Sequence, residues 1–259
     1  YRIIEKLPLT NGELTDDTLD YDSTEYFVTV QIYYNANTGE LTAEKIYSTE
    51  SYATTKDEWD AMAGEEISVR FDNFYAETKQ QFEGLKYRFA TATNDAEAGK
   101  EIETMQFQFK LESVVSPQMD DIEETVTSDA DTGEFQFSKI TYDLSNMNRE
   151  TVSGYQHPVV TYYQYKITEI LPDDYEKTID YNYNDLTYYV TVRLSFDRST
   201  GILSSDKVYT VNYQPDVDAI ETLDDWNALK AGTVEEAEIT TAELAEFTNY
   251  DARTKIHFE

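Results

Sequence analysis

The stretch Phe71-Asp72-Asn73-Phe74-Tyr75-Ala76-Glu77-Thr78-Lys79 returns near the C-terminus as Phe247-Thr248-Asn249-Tyr250-Asp251-Ala252-Arg253-Thr254-Lys255. The asparagines are 249 − 73 = 176 residues apart, and so are the lysines, 255 − 79 = 176. Phe82-Glu83 follows the first copy and Phe258-Glu259 the second. Each copy reads as a seam: the last strand of one domain, a short linker and the first strand of the next.

Further repeats extend outward from this seam. Tyr1-Arg2-Ile3-Ile4-Glu5-Lys6-Leu7-Pro8 matches Tyr165-Lys166-Ile167-Thr168-Glu169-Ile170-Leu171-Pro172. Tyr26–Val30 matches Tyr188–Val192, Thr38–Leu41 matches Thr200–Leu203, and Trp59 aligns with Trp226. Residues 1–75 are therefore the C-terminal part of one repeat, 76–250 a complete repeat, and 251–259 the first strand of a third. The chain begins and stops within strands and is read as an excerpt of a longer array.

Strands dominate the complete repeat. Met105–Leu111 (MQFQFKL) and Glu134–Ile140 (EFQFSKI) alternate apolar and polar residues, the period of half-buried strands. Val159–Glu169, Leu186–Phe196 and Leu203–Asn212 continue the pattern, with turns at Asp131-Thr132-Gly133 and Ser199-Thr200-Gly201. Two short helices interrupt. Thr55-Lys56-Asp57-Glu58 is a capping box leading to Trp59, and Thr222 to Gly232 repeats it around Trp226. The expected fold is all-β: tandem immunoglobulin-like β-sandwich domains with short helical insertions.

Composition narrows the function classes. Of 259 residues, 20 are basic and 52 acidic, a net charge of −32 that argues against nucleic acid and anionic membranes as partners. With 22 Tyr and 12 Phe the chain has the material for a packed β core and is no disordered acidic tail. The absence of Cys excludes disulfides and thiolate chemistry, and two His argue against a His-rich metal site. No metal or cofactor is expected.

Three polar residues recur in matched places: a Lys at the start of a repeat, a Glu ending a Tyr-rich strand and an Asn in the final strand. In the complete repeat they are Lys79, Glu169 and Asn249; the broken ends supply Glu5, Asn73 and Lys255. A polar residue inside an apolar strand is costly unless paired. Burial lowers a lysine pKa and raises a glutamate pKa, so such a Lys can be a nucleophile and such a Glu a proton donor that polarises the Asn carbonyl. The bland alternative is a buried Lys–Glu ion pair with the Asn capping a strand.

The order Thr78-Lys79, Phe82-Glu83-Gly84, Phe107–Leu111, Tyr165–Glu169 and Phe247–Tyr250 resembles the backbone-pilin isopeptide domains of Gram-positive bacteria, the FctA or T-antigen type. The resemblance covers the whole complete repeat and the visible part of the first. It implies a self-formed Lys–Asn amide promoted by Glu, here Lys79 to Asn249 assisted by Glu169, with Glu5, Asn73 and Lys255 as the parts of incomplete copies. It further implies a structural stalk of a pilus or adhesin outside a Gram-positive cell, not an enzyme beyond this single turnover, with neighbouring repeats or pilus subunits as partners and a host surface ligand met through a tip domain. Asp72 departs from the family's usual Thr, and Ser116–Thr132 is an acidic insertion. A ligand-binding adhesin module is the alternative; a secreted hydrolase would need facing carboxylates that no strand repeat offers.

Other motifs read as local structure. Leu7-Pro8-Leu9-Thr10-Asn11 looks like an altered sorting signal but reads as a loop after a strand. Asp129-Ala130-Asp131-Thr132-Gly133 lacks the carboxylate spacing of a calcium loop and reads as a solvated turn.

Overall fold

The computed structural model describes residues 1–64, 67–89, 107–171, 181–182, 185–234 and 237–251. The fold is all-β, and the chain divides into two compact units.

The second unit comprises 77–148, 159–197 and 202–259. Its larger sheet is antiparallel, in the order Glu123–Thr127, Gln108–Val115, Thr161–Glu169, Thr187–Asp197, Ile202–Val211 and Thr241–Ala242. Its smaller sheet runs Glu134–Gln136, Glu83–Phe89, Ala245–Asp251 and Tyr181–Asn182. Three strands are named here for the residue each carries: the lysine strand Glu83–Phe89, the glutamate strand Thr161–Glu169 and the asparagine strand Ala245–Asp251. The lysine and asparagine strands pair in parallel, with Lys86 opposite Phe247. Parallel neighbours need a long connection, and here it is nearly the entire repeat.

The sheets bury an aromatic core between them. Phe109 stacks on Phe135 with centroids 3.8 Å apart, Phe247 sits 5.0 Å from Phe109 and 5.1 Å from Tyr188, and Phe82 tilts 5.0 Å from Tyr165. Period-two alternation puts these rings on the inner faces, and aromatic pairs in such offset or edge contacts add to the area term. The Tyr142 and Tyr165 hydroxyls share a 2.7 Å hydrogen bond inside this core.

Gly84 fixes how close the lysine strand comes. A Cβ there would lie 2.2 Å from Phe135 Cζ and 2.4 Å from the Ala245 carbonyl oxygen. We expect Gly84→Ala to push the lysine strand off its neighbours and cost about 1–3 kcal/mol, as overpacking does, read as a lower melting temperature.

Both helices form as their capping boxes predict. α1 (Lys56–Met62) starts at Thr55 with Glu58 reciprocating, and α2 (Leu223–Lys230) starts at Thr222 with Asp225 reciprocating. Trp226 is buried with Leu229 and Val208, and its indole N–H donates to Asp206 at 2.9 Å.

Glu134–Ile140 is not one strand. Glu134–Gln136 pairs with the lysine strand, whereas Ile140–Asp143 pairs with Glu77–Gln80. Between them the Ser138 amide and hydroxyl are held by the Glu124 carboxylate, so the chain changes partners there. The acidic insertion supplies the edge strand Glu123–Thr127, and the Asp129 carboxylate accepts from the Asp131 and Thr132 amides.

The first unit comprises 1–76, 149–158 and 198–201. Two short segments within 76–250 group with this unit. The hairpin Arg149–Val152/Tyr155–Pro158 and the turn 198–201 group with the first unit because buried Asp20 accepts from His157 Nδ1 at 2.9 Å and Arg198 Nε at 2.7 Å. Among the described residues the main sheet of this unit consists of Arg2–Ile3, Tyr26–Asn35 and Glu40–Ser48. Leu9–Thr10 and Glu13–Leu14 form a hairpin through Asn11-Gly12, both at positive φ, so the sorting-signal lookalike is a turn between two short strands.

Candidate functional site

The glutamate strand ends at Glu169, where the larger sheet faces the lysine and asparagine strands. Lys86 Nζ donates to Glu169 Oε2 at 2.6 Å, and Asn249 Nδ2 donates to Glu169 Oε1 at 2.8 Å. One carboxylate thus bridges a lysine and an asparagine on adjacent parallel strands. All three residues are buried, Asn249 completely. The Phe107 ring lies 4.6 Å below the ammonium, closing the site with apolar surface.

Local backbone fixes the lysine. Its N–H donates to the Gly133 carbonyl at 2.8 Å. Gly133 has φ +72°, and a Cβ there would sit 2.3 Å from the Lys86 carbonyl oxygen, so only glycine permits this approach.

Desolvation governs the electrostatics. Burial pushes the Lys86 ammonium down to about 8, against the opposing pull of Glu169. Burial likewise raises Glu169, with Lys86 and Asn249 acting the other way. Both shifts favour the neutral forms, so the energy gap between the ion pair and the neutral amine–acid pair is narrowed. The carboxylate meets the Asn249 amide nitrogen, whereas the sequence pointed to its carbonyl oxygen.

Lys79, the lysine chosen from the repeat, does not lie beside Glu169 and Asn249. It lies on Glu77–Gln80 with its side chain half exposed and pairs with Glu77 at 3.2 Å, while its neighbours Thr78 and Gln80 turn inward to Ser205. Strand alternation sends Lys79 outward. We expect Lys79→Ala to change stability by less than about 0.5 kcal/mol, as exposed ion pairs do, checked by thermal denaturation.

The sequence missed Lys86, Phe107, Gly84 and Gly133. Lys86 had a signal: Phe82, Gly84 and Lys86 recur with period two, and all are buried. In the first unit Glu5 and Asn73 do meet, Asn73 Nδ2 donating to Glu5 Oε1 at 2.7 Å. Lys255 lies outside the described residues; it aligns with Lys79, not with Lys86.

No family model and no curated protein matches this chain. Solved structures do. The chain is similar to the major pilin from Streptococcus pyogenes. The alignment covers 92% of this chain and 66% of that one, at 13% identity and a TM-score of 0.22. Two single-residue variants of that pilin align over 91% and 96% of this chain and 65% and 69% of theirs, each at 14% identity and TM-score 0.23. The chain thus spans about two thirds of the length of these pilins.

Proposed function

We propose that the second unit is a self-crosslinking stalk module of a Gram-positive surface fibre or pilus, closed by an amide between Lys86 and Asn249. The observation that carries this reading is the buried Lys86–Glu169–Asn249 bridge, in which Glu169 joins the lysine strand to the asparagine strand.

The chemistry follows from the contacts. Glu169 takes a proton from Lys86 across their hydrogen bond. The neutral amine Nζ attacks Asn249 Cγ, forming the new C–N bond. Glu169 returns that proton to Nδ2 as the Cγ–Nδ2 bond breaks and ammonia leaves, and it then takes the second proton from Nζ, so that the amide keeps one N–H and the carboxyl ends protonated. Held strands make the attack intramolecular, at effective molarities of about 10⁵ M or more. The reaction turns over once and needs no cofactor.

The mechanical sense lies in the topology. Tension carried through the lysine and asparagine strands, which lie near the two ends of the unit in sequence, would be borne by a covalent bond between them, leaving little chain free to extend. A module of this kind replaces disulfides in a chain without Cys. Its partners would be neighbouring repeats or pilus subunits, and its place the cell exterior. Among the described residues no helix is long and apolar enough to cross a membrane.

The test is intact mass. Wild-type protein is expected one ammonia lighter than its sequence, with Lys86 and Asn249 in one crosslinked peptide after digestion. Lys86→Ala and Asn249→Ala should restore the full mass, and Lys79→Ala should not. A wild-type protein at full sequence mass means the site is an ion pair and no more.

A further inference from the structure

The acidic turn Asp129–Gly133 joins the two sheets of the second unit beside the lysine. It follows the edge strand Glu123–Thr127 of the larger sheet and leads into Glu134–Gln136 of the smaller one. Its backbone closes on itself: the Gly133 N–H donates to the Asp129 carbonyl at 3.0 Å, and the Asp129 N–H to the Glu134 carbonyl at 2.7 Å. The Asp129 carboxylate accepts from the Asp131 and Thr132 amides at 2.9 and 2.8 Å and from the Thr132 hydroxyl at 3.2 Å. Those amides hold the Asp129 carboxyl below the usual carboxylate range. A side chain that ties up its own turn in this way fixes the local backbone.

One end of this corner grips the lysine strand. The Gly133 carbonyl accepts from the Lys86 N–H, and the two backbones are too close for a Cβ between them. The other end grips the aromatic residue beside the ammonium. Ser128 is 2% exposed; its N–H donates to the Phe107 carbonyl at 2.8 Å, and its Oγ accepts from the Phe107 N–H at 3.1 Å. Phe107 leads into the strand that pairs with the glutamate strand, where the Gln108 carbonyl accepts from the Ile170 N–H, next to Glu169, at 2.8 Å. One short segment thus holds the backbone of Lys86 and the backbone of the residue whose ring lies against Lys86 Nζ.

We propose that Ser128 and Asp129 are positioning residues for the amide bond: the corner they build sets where Lys86 Nζ stands relative to Asn249 Cγ. This rests on the Lys86–Asn249 reading above. Asp129 acts through Gly133 on the lysine backbone, and Ser128 acts through Phe107 on the wall of the site. An attack between held groups is sensitive to small displacements, a shift of about 1 Å costing on the order of 10²-fold in rate.

The experiment refolds the full chain from denaturant and follows intact mass in time. Wild type is expected to shed one ammonia. Asp129→Ala and Ser128→Ala should shed it more slowly, by about tenfold to about a hundredfold, and end at the same mass. Asp129→Asn keeps the acceptor oxygen of the turn and should run close to wild type. Thr222→Ala, which uncaps α2, should melt lower yet keep the wild-type rate, separating position from stability. Read between about pH 6 and about pH 10, the slowed variants should keep the wild-type pH profile, because Lys86 and Glu169 still share the same proton. A wild-type rate in either alanine variant overturns the role of that residue. A slowing matched by Thr222→Ala, or a pH profile that moves, overturns positioning for both. A wild type at full sequence mass overturns the Lys86–Asn249 bond, and the positioning role falls with it; a wild type one ammonia light with unslowed variants overturns the positioning role alone.

Discussion

Glu169→Ala is expected to leave the protein at its full sequence mass and to lower its melting temperature by roughly 15–30 °C. Two separate losses add. Without the carboxylate no group takes the Lys86 proton or returns one to the Asn249 nitrogen, so the amide does not form. The bond would link residues 249 − 86 = 163 apart, and closing a loop of that size is worth about 5 kcal/mol through the unfolded chain. The second loss is local. Lys86 keeps its buried position beside the Phe107 ring but has no counter-ion, and removing one partner of a buried pair costs about 3–5 kcal/mol. The sum is of the order of a whole domain's stability. Asn249→Ala separates the terms: it removes the bond and keeps the Lys86–Glu169 ion pair, so it should melt between wild type and Glu169→Ala. If Glu169→Ala is still one ammonia light, the carboxylate has no part in the chemistry.

Much of this was legible before any coordinates. The capping boxes at Thr55 and Thr222 specify their helices by side-chain chemistry within four residues, and that information is local. Glu169 and Asn249 were legible because each is a polar residue on the inward parity of an apolar strand. The lysine that meets Glu169 is not the one the repeat pointed to, for a traceable reason. Self-comparison rewards whatever recurs, and Lys79 recurs as Lys255; a counterpart of Lys86 at the same spacing would fall past residue 259. Parity along the strand is the better guide, because burial follows it: Gly84 and Lys86 face inward with Phe82, whereas Lys79 faces water. The break within Glu134–Ile140 was not legible, since it depends on Glu124, from a different strand, capturing Ser138. Nor was the allegiance of 149–158 to the first unit, which rests on a buried carboxylate 137 residues away from His157 in sequence.

The rate of amide formation should fall above about pH 8, by about tenfold per pH unit, and be flat for some distance below it. The reactive state has a neutral amine on Lys86 and a protonated Glu169. It holds the same single proton as the ion pair, so its share does not change while the pair keeps that proton. Burial brings the Lys86 ammonium to about 8 from 10.5. Above that value the pair loses its proton, the amine stays nucleophilic, and Glu169 has nothing to give the departing nitrogen. Chain recovered unfolded from inclusion bodies and diluted into buffers between about pH 5 and about pH 10, with mass followed in time, reads this directly. Equilibrium stability supplies an independent sign. In Asn249→Ala the lysine stays free with a folded pKa below its unfolded one, so the unfolded chain binds more protons between about 8 and 10.5. The penalty for burying the charged amine is complete below this window and is relieved as pH rises through it, worth about 3 kcal/mol. Wild type carrying the proposed amide would have no such titration. The difference in stability between the two proteins should therefore narrow from about pH 8 to about pH 10.5; a constant difference would mean that Lys86 titrates alike in both and that no amide distinguishes them.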